Sequence, residues 1–333
     1  MQTVSLVEGR SSSEEASNNV ALDQVEQVVG PSLPDLNTLI LDLILRLRMK
    51  RAGANTTITP EGLRRSAAGI TRAMEQFQSP PFVHVERAHV GTTEAEWVSV
   101  GEPTRPPVLY FHGGGFYMCS PRTHRELTWR LARATRRRVC AIEYRKAPDH
   151  VFPAWVDDGF SAFSWLLEQG HRAEEILLAG DSAGGNIAMA VTHRLRRKGM
   201  PLPGGLVLIS PWVDLACEGA SYTKNARRDP MFDARAVRSL GAYLTQGKPI
   251  ADTRDPERSP IHADLTGFPR MLILAGSTEV FLDDARVVAR RANAAGVKVQ
   301  MHIYRHMPHV FPLFSRVLPR AKPVFQTIAR FAS

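Results

Sequence analysis

Residues 176–186 read Ile-Leu-Leu-Ala-Gly-Asp-Ser-Ala-Gly-Gly-Asn, and they contain the pattern G-x-S-x-G between Gly180 and Gly184. The apolar residues before the pattern predict a short buried strand, and the residues after it predict a helix. A chain that turns so tightly from strand to helix has no room for large side chains, so small residues flank the serine. The sequence therefore predicts that Ser182 projects its hydroxyl from the top of a sheet, beside a helix N-terminus that favours negative charge.

A second stretch contains groups that could act together with the Ser182 hydroxyl. Residues 108–116 read Val-Leu-Tyr-Phe-His-Gly-Gly-Gly-Phe, an apolar strand that runs into His112 and three glycines. Backbone N–H groups without side-chain cover can surround the tetrahedral oxyanion that forms in acyl transfer. A flexible or phosphate-binding loop is the alternative, but the stretch lacks the patterns G-x-G-x-x-G and G-K-[ST].

Together the two motifs resemble the H-G-G-G-F and G-D-S-A-G-G signatures of the hormone-sensitive-lipase family of α/β-hydrolases. Two further segments extend the resemblance. Residues 144–154 resemble the family's Y-R-L-A-P-E-x-x-F-P-A, with Lys146 in place of the usual Leu, and residues 210–215 resemble its S-P-x-x-D-L. The resemblance covers the chain from about residue 80 to the C-terminus, and it implies an α/β-hydrolase fold.

The patterns along the chain agree with that fold. Alternating strands and helices predict a mostly parallel, doubly wound sheet of eight strands flanked by helices. The expected strands are 82–90, 94–100, 107–111, 138–143, 175–180, 205–210, 271–275 and 298–304. The expected helices between and after them are 121–136, 154–169, 184–198, 284–295 and 317–331.

The resemblance implies that two regions form a helical cap. Residues 1–80 are expected to hold an irregular start over 1–30, a helix over 36–50 and a second helix from Pro60 to about residue 77, with Thr59 as its N-cap. Packing on the sheet edge is the alternative for these two helices. The catalytic domain is expected over 81–333, with a cap insertion at about 215–262 that the resemblance implies.

Ser182 needs a base, and α/β-hydrolases place their acid and then their histidine after the serine along the chain. His302, His306 and His309 follow the last predicted strand. The resemblance implies His309 as the base, because Met-Pro-His-Val-Phe is similar to the family's catalytic-histidine loop. It also implies Glu279 as the acid, since residues 279–283 align with D-P-L-x-D.

The acid loop departs from the family pattern, because Glu279 replaces the commoner Asp. Asp283 and Asp284 open the next predicted helix, where carboxylates suit the N-terminal dipole, so capping is their expected role.

The resemblance further implies that Gly114, Gly115 and Ala183 donate backbone N–H groups to the oxyanion. Which two of the three loop glycines donate stays open at this point. Phe116, Tyr117 and Trp212 are expected pocket walls, with ordinary core packing as the alternative. The sequence contains no metal-like cluster and no dinucleotide fingerprint, so no metal and no cofactor are expected.

These motifs imply a serine hydrolase that cleaves carboxylic esters through an acyl-enzyme, with a small-molecule acyl ester as its partner. The resemblance implies acyl groups of short to medium chain length. Amide hydrolysis, such as deacetylation of an N-acyl metabolite, is the first alternative, because the same groups perform it. A non-catalytic ligand-binding member of the fold is the second, although all three candidate catalytic residues are present.

Composition limits the setting. With 44% hydrophobic and 23% charged residues in a chain of 333, a soluble globular protein with a large core is expected. The longest apolar stretch, 36–47, is too short and too charged for stable membrane insertion. Three widely spaced cysteines and a polar start without a hydrophobic signal core favour the cytoplasm. A homodimer is possible.

The net charge of +9 comes largely from basic clusters at 46–51, 136–138 and 194–198, which are interpreted as a solvated basic face. No aromatic and basic recognition motif accompanies the charge, so nucleic acid is not an expected partner.

Overall fold

A nine-stranded sheet forms the centre of the protein in a computed structural model that describes residues 25–74, 76, 78–246 and 254–333. In chain order the strands are β1 (Glu26–Val29), β2 (Val83–Val90), β3 (Thr93–Val100), β4 (Arg105–Phe111), β5 (Arg137–Ile142), β6 (Leu177–Asp181), β7 (Gly205–Ile209), β8 (Met271–Gly276) and β9 (Val299–Tyr304). Their spatial order is β1-β9-β8-β7-β6-β4-β5-β3-β2. Strand β3 is antiparallel to both of its neighbours, and the other pairs are parallel.

All eight predicted strands are present, each with ends within two residues of the expected ones. The predicted number is wrong by one, because β1 lies in the stretch 1–30 that was expected to be irregular. This strand has only four residues and pairs on one side alone, with β9. A strand so short shows no alternating pattern that sequence could reveal.

Eight helices of eight or more residues lie in the described part of the chain. They are α1 (Leu36–Leu45), α2 (Pro60–Met74), α3 (Arg125–Thr135), α4 (Ala154–Glu168), α5 (Ala183–Arg197), α6 (Ala234–Leu244), α7 (Leu282–Ala294) and α8 (Val324–Ala332). Among these residues, no helix is long and apolar enough to cross a membrane.

The helices cover both faces of the sheet, because alternate residues of each buried strand point to opposite faces. In β4, Leu109 and Phe111 pack with α4, α5 and α7 in one cluster. Val108 and Tyr110 pack with α3 and α8 in the other cluster. The central parallel strands are thus buried on both faces, as their unbroken apolar sequences predict.

Helix boundaries follow their capping residues. Asp35 accepts a hydrogen bond from the Thr38 N–H at 2.9 Å and so caps α1. Thr59 accepts one from the Gly62 N–H at 3.2 Å, which confirms it as the cap of α2. The predicted helix at 317–331 starts late, at Val324, because Pro323 lacks the N–H that a helix interior needs.

The region 36–54 is helical throughout but not uniformly so. A π-helical turn (Arg46–Lys50) follows α1, and one further α-turn (Arg51–Ala54) ends the segment. The cations of this turn point at the segment before α6. Arg46 donates to the carbonyls of Arg227 and Arg228, and Lys50 donates to those of Ala226 and Asp229.

The interpretation of the basic clusters as a solvated face is therefore wrong in part. Arg46 and Lys50 are only partly exposed and bond to carbonyls, and two further members of the clusters are buried. Arg194 pairs with Glu257, and Arg137 donates to three backbone carbonyls at the start of the sheet. A guanidinium carries five N–H donors, so Arg137 can satisfy several carbonyls at once.

Candidate active site

Ser182 lies in the tight turn between β6 and α5, as the G-x-S-x-G pattern predicts. Its backbone has φ +53°, a value that non-glycine residues rarely adopt. A Cβ added at Gly180 would lie 2.3 Å from the Gly184 carbonyl oxygen, and one at Gly184 would lie 1.9 Å from that of Phe111. Gly180 is therefore required by the tightness of the turn itself, and Gly184 by the close approach of the turn to the end of β4.

Glu279 and His309 meet at the carboxyl ends of β8 and β9. The Nδ1 atom of His309 lies 2.6 Å from Oε2 of Glu279, and both side chains are buried. The other carboxylate oxygen, Oε1, accepts bonds from the Gly276 N–H at 2.6 Å and the Ser210 hydroxyl at 3.1 Å. Burial raises the pKa of Glu279, and the bond with His309 opposes that rise. The carboxylate is thus fixed in one orientation toward the imidazole.

Ser210 connects this pair to the serine turn. Its hydroxyl donates to Glu279 and accepts a bond from the Val310 N–H at 3.0 Å, directly after His309. The residue before it, Ile209, accepts a bond from the Ser182 N–H at 2.9 Å. Hydrogen bonds and the Ile209–Ser210 peptide therefore connect the backbone of Ser182 to the Glu279–His309 pair, at the carboxyl ends of the strands.

The imidazole of His309 is packed between two aromatic rings. The ring centroids of Phe281 and Phe232 lie 4.7 and 5.0 Å from that of His309. Its Nε2 atom is buried and has no hydrogen-bond partner among the described residues. The other two candidate histidines lie elsewhere, since His302 is part of β9 and His306 bonds to the Ser32 carbonyl at 2.8 Å.

The glycine loop after β4 leaves two of its three N–H groups free. Gly113 donates its N–H to Asp181 at 3.0 Å. Among the described residues, no hydrogen bond uses the N–H groups of Gly114, Gly115 or Ala183. Gly114 has φ +114°, and a Cβ there would lie 2.2 Å from the Met118 carbonyl oxygen. The geometry thus favours Gly114 and Gly115 over Gly113 as donors to a bound oxyanion.

Asp181 is a buried carboxylate that sequence reasoning did not select. Besides the Gly113 N–H, it accepts bonds from the Tyr110 hydroxyl and from Nε2 of His124, the latter at 3.3 Å. Burial alone would raise its pKa, but His124 and Tyr110 outweigh burial, and the pKa is lowered. The carboxylate therefore stays ionised and holds the start of the glycine loop.

Asp229 is a second buried carboxylate that the sequence did not reveal. It accepts N–H bonds from Met231 and Phe232 on its own loop, at 2.7 and 3.0 Å. Its other oxygen accepts the Val280 N–H at 2.8 Å, directly after Glu279. Asp229 thus ties the segment before α6 to the loop that carries Glu279. Its position, 51 residues from Val280 in sequence, gave no local signal.

Asp283 and Asp284 lie in the first turn of α7, as expected, but neither caps the helix through a hydrogen bond. Helix α7 has no side-chain cap, and both carboxylates bond to the 213–221 loop instead. Asp284 accepts the N–H groups of Val213 and Asp214, each at 3.0 Å, and Asp283 accepts that of Ser221 at 2.7 Å. Buried backbone N–H groups require partners, and this loop has no neighbouring strand to supply them.

The three expected pocket residues differ in exposure. Phe116 and Trp212 are buried, with ring centroids 5.9 Å apart, and Phe116 also packs on Trp155 at 4.8 Å. Tyr117 is partly buried. A Cβ added at Gly115 would meet Tyr117 at 3.3 Å and Leu240 of α6 at 3.1 Å, so α6 lies against the glycine loop. No group of three or more His, Cys, Asp or Glu side chains among the described residues has metal-binding geometry.

Comparison with known proteins agrees with this geometry. A family model described as alpha/beta hydrolase fold matches residues 108–313. An acetyl-hydrolase of Streptomyces hygroscopicus is 40% identical over 260 residues, which cover 78% of this chain and 86% of the relative. Esterase LipU of Mycobacterium tuberculosis is 34% identical over 242 residues, covering 72% of this chain and 81% of the relative.

Solved structures extend the agreement to the fold. An esterase from the bacterial hormone-sensitive lipase (HSL) family superposes with a TM-score of 0.82 at 35% identity, covering 90% of this chain and 98% of that one. EstE5, soaked with p-nitrophenyl butyrate, superposes with a TM-score of 0.81 at 34% identity and the same coverage. The predicted family and the α/β-hydrolase fold are confirmed. This chain belongs to the hormone-sensitive-lipase family of α/β-hydrolases and is a carboxylesterase.

Proposed function

We propose that the protein hydrolyses short- to medium-chain carboxylic esters through an acyl-enzyme, with Ser182 as nucleophile, His309 as base and Glu279 as the acid that orients it. The contact between Glu279 and His309, 2.6 Å long and buried, carries the proposal. A carboxylate on Nδ1 keeps the proton on that nitrogen and leaves Nε2 free to accept one. It also stabilises the imidazolium that forms during reaction.

The reaction proceeds in two halves. Ser182 Oγ attacks the ester carbonyl and passes its proton to Nε2 of His309, while the free N–H groups of Gly114, Gly115 and Ala183 bind the oxyanion. The imidazolium then protonates the leaving alcohol, and an acyl-enzyme remains. Water attacks the acyl group with the same base, which releases the carboxylic acid and restores the serine. No cofactor takes part in these steps.

The proposed chain length is supported by two relatives. One is named an acetyl-hydrolase, and another was soaked with p-nitrophenyl butyrate, so both concern short acyl groups. The name acetyl-hydrolase does not separate esters from amides, and an amide hydrolase is therefore the competing outcome of the test below. The same groups would cleave an amide if the pocket accepted its leaving amine.

We further propose that the described residues of 31–80 and of 215–262 form a cap over this site, whereas residues 1–24 and 247–253 of the expected cap lie outside the described residues. The contacts of Arg46 and Lys50 with the 226–229 carbonyls support one connected unit. Helix α6 lies against the glycine loop through Leu240.

Three buried cysteines without disulfides support a reducing compartment such as the cytoplasm.

The test combines a substrate panel with two serine variants. p-Nitrophenyl acetate, butyrate, decanoate and palmitate are compared with p-nitroacetanilide, and the highest kcat/KM is expected on acetate or butyrate. Ser182→Ala should lower kcat by roughly 10^4-fold or more without unfolding. Ser164→Ala, which removes a buried hydroxyl without a described partner, is the matched control and should keep its rate.

Covalent labelling locates the nucleophile independently. A fluorophosphonate should modify Ser182 in the wild-type protein, as peptide mapping would show. Labelling of another serine, or full activity of Ser182→Ala, would contradict the assignment. Faster cleavage of p-nitroacetanilide than of any ester would instead favour the amide hydrolase.

A further inference from the structure

Helix α1 and its flanks expose an apolar surface that the proposed chemistry does not use. Seven aliphatic side chains on this segment are between 49% and 73% exposed. We call this set the α1 patch, and it comprises Leu33, Leu36, Leu39, Ile40, Leu43, Ile44 and Leu47. The opposite side of α1 is buried through Leu41 and Leu45 against the core. A helix that is apolar on both sides has a second apolar environment to meet.

The charges around the α1 patch are of one sign. Arg48 and Arg51 are exposed at its C-terminal end, and Arg227 and Arg228 are exposed on the neighbouring segment that Arg46 binds. Acidic side chains are few in the same region. Between residues 31 and 59 only two acids occur, and neither is fully exposed.

One of these two acids is engaged in bonds, and the other is partly buried. Asp35 pairs with Arg320 at 2.8 Å and caps α1. Asp42 has one oxygen that is buried without a described partner. The surface therefore combines a ridge of aliphatic side chains with a rim of arginines, and residues 31–59 contribute no fully exposed carboxylate to it.

We propose that the α1 patch docks the enzyme on an anionic lipid surface, with the aliphatic ridge in the acyl boundary and the arginines at the headgroups. Apolar residues on one helix face beside cations are the pattern of helices that lie in a membrane interface. Each arginine near such a surface strengthens binding by about fivefold in partition coefficient. Docking of this kind needs no membrane-spanning helix.

The charge pattern favours a lipid surface over a second copy of the chain. A twofold dimer through the α1 patch would place the same surface on both sides. The arginine rims would then meet no carboxylate from the partner's patch, so like charges would face each other without compensation. An anionic headgroup layer neutralises the whole rim instead.

Vesicle co-sedimentation of the full chain tests the proposal. Equimolar phosphatidylcholine and phosphatidylglycerol should pull down the protein, and pure phosphatidylcholine should do so at least about tenfold less well. High salt should weaken binding, because the arginine contribution is screened. Absence of sedimentation with the anionic vesicles would overturn the proposal.

Paired variants assign the binding to the patch. Leu39→Ser with Leu43→Ser should lower partitioning at least about tenfold, whereas Phe82→Ser with Val151→Ser, exposed apolar residues on other segments, should not. Arg48→Gln with Arg51→Gln should lower partitioning about thirtyfold, whereas Arg87→Gln with Arg133→Gln should not. Equal losses in the patch and control pairs would overturn the assignment.

Three further readouts separate folding, catalysis and self-association. The patch variants should keep wild-type kcat/KM on p-nitrophenyl acetate, which shows that they are folded. Ser182→Ala should bind vesicles like wild type, so the proposal does not depend on the proposed nucleophile. A concentration-dependent dimer that the leucine pair abolishes, without vesicle binding by wild type, would identify a copy of this chain as the occupant and overturn lipid docking.

Discussion

At the scale of single residues, the carboxylate of Glu279 is held from three sides, by His309, Ser210 and the Gly276 N–H. Glutamate has a longer side chain than aspartate. This length suits the loop after β8, because Gly276 at its start lies tightly against the loop that carries His309. A Cβ at Gly276 would meet the Met307 carbonyl oxygen at 2.2 Å. The backbone at the start of the acid loop is therefore packed directly against the loop that carries His309.

We expect Glu279→Gln to lower kcat by about 10^2 to 10^4, because the amide keeps the contact but loses the charge that supports the imidazolium. The kcat of Glu279→Asp should lie between those of this variant and wild type, since aspartate keeps the charge but has a shorter side chain. Steady-state kinetics on p-nitrophenyl acetate measures both effects.

Asp283→Asn is the matched control for that series. It weakens an N–H bond to Ser221 outside the proposed chemistry, so it should cost about 1 kcal/mol of stability and leave kcat unchanged. A crippled Asp283→Asn beside an active Glu279→Gln would assign the acid to Asp283.

Asp181 is expected to act as a positioning residue through Gly113. Asp181→Asn removes the charge that binds the Gly113 N–H and His124, so the glycine loop should lose its fixed geometry. We expect kcat to fall about tenfold to a hundredfold with little change in KM, because the oxyanion is bound only during reaction.

Asp158→Asn provides the comparison for Asp181. Asp158 is also buried and pairs with Arg145, and among the described residues it makes no hydrogen bond to the glycine loop. This variant should lose thermal stability and keep kcat. A similar kcat for both variants would show that Asp181 has only a structural role.

Sequence reasoning reached the residues that carry chemistry and missed the ones that hold them. Ser182 and the glycines occur in local motifs, and His309 and Glu279 followed from the resemblance. Ser210 and Asp181 could not be found in this way, because their bonds join residues 69 and 68 positions apart. Only the packing of separate strand ends brings such partners together.

At the scale of elements, α1 and its N-cap carry two carboxylates whose pKa values are shifted in opposite directions. Burial raises the pKa of Asp42 to about 6, since it lies on the inner side of the helix. The Thr38 hydroxyl and N–H bonds to Asp35 lower the pKa of that carboxylate. One acid therefore opposes folding when it is ionised, and the other favours folding.

We expect Asp42→Asn to be more stable than wild type at pH 8 and equal to it near pH 4. The folded protein binds the Asp42 proton more tightly than the unfolded chain, so wild type loses stability as the pH rises from about 4 to 6. After allowance for partial exposure, the gain at pH 8 is about 1 kcal/mol. Thermal melts at the two pH values measure it.

Asp35→Asn is the control on the same helix and has the opposite sign. Its stabilising ionised form is present above pH 4, so this variant should be less stable than wild type at pH 8. Equal behaviour of the two variants would contradict the assigned pKa directions.

The element boundaries that sequence predicted well are those with strong local signals. Apolar strands bounded by glycine or proline, such as β4 and β6, were found within two residues. The start of α8 was misplaced because the apolar pattern continues upstream through residues that Pro319 and Pro323 exclude from an α-helix.

At the scale of the whole molecule, β1 closes the sheet beside the strand that leads to His309. It pairs in parallel with β9, and the Arg305 N–H continues the pairing by donating to Val29 at 2.8 Å. Glu26 adds an ion pair with Arg286 of α7 at 2.9 Å. The start of the described chain therefore covers the free side of β9, the strand that leads to the His309 loop.

We expect removal of residues 1–30 to destabilise the protein by on the order of 2 kcal/mol or more, because backbone bonds and an ion pair are lost together. The freed edge of β9 should also promote self-association. Urea unfolding and size-exclusion chromatography measure these effects. Removal of residues 1–24, which ends before β1, is the matched control, and equal stability of the two truncations would contradict the role of β1.

The anchoring of the C-terminus has a practical consequence for immobilisation. Arg105 and Arg137, at the starts of β4 and β5, both donate to the Ala332 carbonyl, at 2.8 and 3.1 Å. Ser182 lies at the other end of these parallel strands, and the seven residues of β4 span about 20 Å. A bead or electrode that captures a tag placed after Ser333 would therefore hold the enzyme with its catalytic edge turned toward the flowing solution.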